Sequence, residues 1–106
     1  MKPEPDSGVP VTFRIDGRKI KSIKDFYREI GRSVNGPGGY FGRNLVALAD
    51  CLRGGFGTPK DRPYEFEWEH SAVSRRFLTD VRPGQRPFFD SVRDVFDDAG
   101  VTLTLK

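Results

Sequence analysis

Three short runs of alternating apolar residues constrain this 106-residue chain more than any other feature. Val11, Phe13 and Ile15 alternate with Thr12 and Arg14; Tyr64, Phe66 and Trp68 alternate with Glu65, Glu67 and Glu69; Val101, Leu103 and Leu105 alternate with threonines. A period of two sends every second side chain to the same face, so each run reads as a strand with one side against a core. Two stretches at helical spacing separate each strand from the next. Helical connections between consecutive strands favour parallel pairing. The expected fold is α/β, a small three-stranded parallel sheet packed with about four helices.

The connecting segments carry their own punctuation. Asp16-Gly17 is a strong turn signal after the first strand, and Ile20 returns the chain toward the core. Ser22 caps a helix over residues 23–33, with Asp25 as the acid of a weak capping box and Ile23, Phe26, Tyr27, Ile30 and Val34 as its apolar stripe. NGPGG at 35–39 ends it. Asn44 caps a second, short helix in which Leu45, Leu48 and Leu52 share one face with Cys51 beside them. Val46, Asp50 and Arg53 fall on the opposite side, flanked by Ala47 and Ala49. That outer side lacks the Lys and Glu that lace a solvated helix. RGGFG at 53–57 closes the helix and TPKDRP forms a loop. Residues 71–79 are expected to form a short helix, broken before RPGQRP. Phe88 or Phe89, Val92, Val95, Phe96 and Ala99 make a last amphipathic helix, which Gly100 ends. Residues 1–9, rich in proline and charge, read as a flexible N-terminal tail, and 10–106 as a single domain.

Composition narrows the function. The lone cysteine excludes an internal disulfide and a cysteine-based zinc site, and it suits a reducing, cytoplasmic setting. No apolar run is long enough to span a membrane, and the start lacks the apolar core of a signal peptide. A net charge of +3 permits attraction to nucleic acid without demanding it, since the basic residues are spread along the chain. Catalysis is not expected. Cys51 sits among leucines as an inert thiol, and His70 is the sole histidine. The glycine clusters match neither a P-loop nor a dinucleotide fingerprint. No cofactor or metal is expected.

Four blocks carry a resemblance: IDGRKIKSIKDF (15–26), YFGRNLVALADCLRGG (40–55), PYEFEW (63–68) and, more weakly, VRDVFDDAG (92–100). In order and spacing they resemble the barstar family, the intracellular inhibitors of secreted ribonucleases. The likeness runs from about Val11 to the C-terminus, leaving the tail and the 56–62 and 80–87 loops outside it. It implies that the 40–54 loop and helix plug a nuclease active site, with Asp50 standing in for the scissile phosphate among the enzyme's cations. Tyr40 then matches the aromatic that packs over the catalytic centre. Asn44 matches the helix-opening asparagine, and Gly54 the glycine at the helix exit. Asp98 matches a peripheral acidic contact. Gly42 and Ala47 let the segment approach closely. Val46 and Ala49 depart from the family pattern, which has an acid and a tryptophan there, and Arg43 and Arg53 replace acidic or neutral residues. These exchanges point to a guanyl-specific microbial ribonuclease of acidic or near-neutral surface. The alternative is a small basic module stacking nucleic acid on Tyr40, Phe41 and Phe56; structural glycines explain the same segments more cheaply, so direct nucleic-acid binding is disfavoured.

Overall fold

The largest side chain of the core, Trp68, comes from the central strand. In the computed structural model, which describes residues 10–79 and 84–106, Phe66 and Trp68 are fully buried. They belong to β2 (Tyr64–Glu69), which lies between β1 (Val11–Asp16) and β3 (Leu103–Leu105) in one all-parallel sheet. The register sets Ile15 opposite Trp68, and Phe66 and Trp68 opposite Leu103 and Leu105. Around the sheet stand α1 (Ile23–Asn35), α2 (Leu45–Leu52), α3 (Ser71–Arg75) and α4 (Phe88–Ala99). The α/β fold read from the alternating runs is the one the chain forms.

Alternation makes the sheet two-faced. On the inner side Trp68 lies between Phe26 and Phe89, with ring centroids 5.3 and 4.9 Å away. Phe66 meets Phe41 at 5.9 Å and Phe96 edge-on at 5.1 Å. One strand thus pins α1, α4 and the loop ahead of α2 through aromatic contacts, each worth about 1 kcal/mol beyond its buried area. The buried Trp68 indole N–H donates to Ser74 Oγ at 2.8 Å, which ties down α3. On the outer side Glu67 pairs with Arg14 (3.5 Å) and Lys106 (3.9 Å), while the Thr12 hydroxyl donates to Glu65.

Among the described residues one acid, Glu29, is buried, and it is satisfied. Its carboxylate accepts from the Arg32 guanidinium (2.6 Å) and from the Asp16 backbone N–H (2.8 Å). Arg32 also donates to the Arg14 carbonyl, so two side chains of α1 take up backbone groups of β1. A buried carboxylate with this many partners is tolerated where a bare one would not be.

Four local expectations differ from what forms. The 71–79 helix stops at Arg75, because Leu78 turns into the core and its carbonyl accepts from the Phe89 N–H. β3 begins at Leu103, since the Val101 N–H closes the end of α4 on the Phe96 carbonyl instead of joining the sheet. The Asp16-Gly17 turn is a short 3-10 turn (Gly17–Lys19), after which Ile20 is fully buried as expected. Ile23, assigned to the apolar stripe of α1, is 50% exposed. It sits in the first turn, before the helix meets the sheet. The tail at 1–9 and part of the RPGQRP loop lie outside the described residues.

Candidate functional site

An eight-residue helix is too short to persist alone in water. α2 is held from three directions. At its start the Asn44 side chain accepts from the Ala47 N–H at 2.8 Å, the N-cap expected from the sequence. At its end the Tyr64 hydroxyl donates to the Leu52 carbonyl at 2.5 Å, satisfying an acceptor with no partner inside the helix. Beneath, Leu48, Cys51 and Leu52 are buried and the helix packs against α4. The loop before it alternates sides: Phe41 is fully buried against Phe66, whereas Tyr40 is 44% exposed.

The outward face keeps the character predicted for it. Val46 is exposed, Ala47 and Ala49 are half-buried, and Asp50 and Arg53 are exposed. Arg53 Nη1 lies 3.4 Å from Asp50 Oδ1, so the candidate phosphate mimic is already loosely paired within its own helix. An exposed pair of this kind is worth only a few tenths of a kcal/mol. A partner's cations can displace it at little cost. Gly54, half-buried, follows the helix. Asp98 is exposed near the end of α4, on the neighbouring helix and not on the 40–54 segment.

Gly42 has a role in the fold itself. It is buried, with a backbone φ of +98°, and a Cβ there would lie 3.0 Å from the Leu48 amide nitrogen. Its absent side chain lets the loop close onto α2. Asn44, likewise, has its side-chain oxygen engaged as a cap.

Among the described residues the lone cysteine and histidine stand apart from this face. Burial, and secondarily the charge of Asp50, raise the Cys51 thiol above its ordinary range, which keeps it protonated and inert. His70 is exposed at the start of α3 and abuts the turn at Gly17. Among the described residues no cluster of His, Cys, Asp or Glu is arranged to hold a metal, and no helix is long and apolar enough to cross a membrane.

Two contributors, Tyr64 and Asn35, escaped the sequence, and Phe56 was read there only in the nucleic-acid alternative. Tyr64 was legible only as a strand residue. Phe56, between glycines, is 43% exposed and its ring lies 6.3 Å from that of Tyr40. Asn35, read as part of a helix stop, donates from Nδ2 to the Tyr40 carbonyl (2.8 Å) and to the Phe56 carbonyl (2.7 Å). Beside Tyr40 a cleft is lined by Ile23 and Tyr27 together with Lys24, Arg28 and Arg43. This cleft is where the exposed Ile23 sits.

Compared with known families, residues 11–106 match the model described as Barstar (barnase inhibitor). No curated protein matches the chain.

Proposed function

The chain belongs to the barstar family, and from that membership we propose that it inhibits a secreted microbial ribonuclease by blocking the active site with the 40–54 loop and helix. Members of this family are ribonuclease inhibitors and not enzymes. The observation that carries the reading is Asp50: one exposed carboxylate on a short, firmly capped helix, ringed by Val46, Ala47 and Ala49. An enzyme that stabilises a phosphorane-like transition state gathers cationic side chains around the scissile phosphate. A carboxylate on a rigid helix can enter that cluster and make charge-assisted hydrogen bonds, provided its neighbours are small enough to let the backbone approach. Apart from Arg53, the residues around it are uncharged, as suits an interface core. Tyr40, exposed one loop earlier, supplies an aromatic anchor, and Asp98 a peripheral contact.

The rim around this face is basic. Lys24 and Arg43 have no ion-pair partner among the described residues, and the chain as a whole is +3. Complementary potentials then call for a guanyl-specific ribonuclease of acidic or near-neutral surface, with its cations confined to the active-site pocket.

The test is inhibition of RNA cleavage by barnase and by an acidic guanyl-specific microbial ribonuclease. Asp50→Ala is expected to weaken inhibition about 10²- to 10³-fold, the loss of a central hot spot, while the melting temperature holds because the side chain faces outward. Equal inhibition by wild type and Asp50→Ala would overturn the mechanism. Salt-sensitive retention of RNA by the chain itself would favour the nucleic-acid reading instead.

A further inference from the structure

Two loops flank α2, and both are rich in glycine. Ordering such segments costs more backbone entropy than ordering any other kind. Something must hold them if residues on both sides of α2 are to meet a partner as one surface. The last residue of α1 does this. Asn35 uses both hydrogens of its side-chain amide, one on the Tyr40 carbonyl ahead of α2 and one on the Phe56 carbonyl behind it. Its seat is specific. Gly57 has a φ of +118°, and a Cβ there would fall 2.1 Å from Asn35 Oδ1, so any other residue at 57 would evict the amide.

The consequence is a pair of rings. Tyr40 and Phe56 stand 6.3 Å apart, inclined at 53°, each a little under half exposed. Neither belongs to the core. We propose that Asn35 is the positioning residue of the partner-binding face, and that Phe56 is a second aromatic contact on it, drawn beside Tyr40 by the Asn35 amide. The inference rests on the inhibitor reading for its partner and on the clamp alone for its geometry. Aromatic side chains that are exposed in the free protein are among the residues that interfaces favour. An aspartate at 35 would keep the shape but has no hydrogen to offer two carbonyls. Asn35→Asp therefore separates the hydrogen bonds from the volume.

The experiment combines NMR of the free chain with dissociation rates from whichever of barnase and an acidic guanyl-specific ribonuclease the wild type holds more tightly. In the free chain, the contact between the Tyr40 and Phe56 rings should be seen in wild type and lost in Asn35→Ala and Asn35→Asp, with the fold retained. In the complex, Asn35→Ala and Phe56→Ala should each speed dissociation about ten-fold, the size of an ordinary interface anchor. The double variant should also be close to ten-fold and not about a hundred-fold, because Asn35 acts through Phe56. A merely structural role would lower stability without that non-additivity. Survival of the ring contact in both Asn35 variants would overturn the clamp and leave the inhibitor reading standing. Unchanged dissociation of Phe56→Ala would overturn the contact. Failure of the wild type to bind either ribonuclease would overturn the inhibitor reading and the contact together, while the NMR comparison would still decide the clamp.

Discussion

Two tyrosines, one within α1 and one in the loop after it, do opposite work. Tyr40 keeps its ring partly in solvent, whereas Tyr27 is buried between Phe26 and Phe88, at ring distances of 5.2 and 5.8 Å. Burial opposes the phenolate and pushes the Tyr27 hydroxyl up from 10 to about 12. A raised pKa in the folded state means that the neutral ring stabilises the fold fully below pH 10. That contribution is lost as pH rises from 10 through about 12. Denaturant titrations at alkaline pH should therefore show a decline for wild type that is shallower in Tyr27→Phe. Identical decline in the two proteins would mean that Tyr27 ionises as freely folded as unfolded.

At the scale of the element, α2 is the part under most strain of function. It has few residues, its outer face contributes almost nothing to folding, and its stability comes from Asn44, from Tyr64 and from the side packed on α4. Asn44→Ala is expected to cost about 1 kcal/mol, the usual value of an N-cap, or roughly 5 °C in melting temperature for a domain of this size. Asn44→Asp or Asn44→Ser should restore the melt. If those two variants also restore inhibition, Asn44 serves the interface only by holding the helix. Restored stability with inhibition still lost would identify Asn44 as a direct contact.

The whole molecule adds a field to the local site. Arg43 and Lys24 stand beside Tyr40 without ion-pair partners among the described residues, and Arg53 stands beside Asp50. Long-range attraction governs how fast partners meet, and buried pairs govern how long they stay. Association with an acidic ribonuclease should slow as salt rises. Arg43→Glu should slow it further, while speeding association with barnase. Stopped-flow rates against both enzymes check this, and faster capture of the acidic enzyme by Arg43→Glu would show that the partner's charge has been assigned the wrong sign.

What the sequence by itself determined is everything that depends on direction along one element. Alternation in three runs specified the strands and the side of each that is buried, and helical spacing placed Leu48 and Cys51 inward and Asp50 outward. These follow from backbone geometry, which fixes side-chain direction every two residues in a strand and every 3.6 in a helix. Tertiary structure alone decided what loops do. That Asn35 bridges Tyr40 to Phe56, that Gly42 lies buried under α2, that Ile23 stays open beside Tyr40 and that α3 yields to Leu78 all depend on which distant segments pack together. Glycine-rich loops carry no periodicity, so their neighbours are set by the closing of the core and not by their own residues.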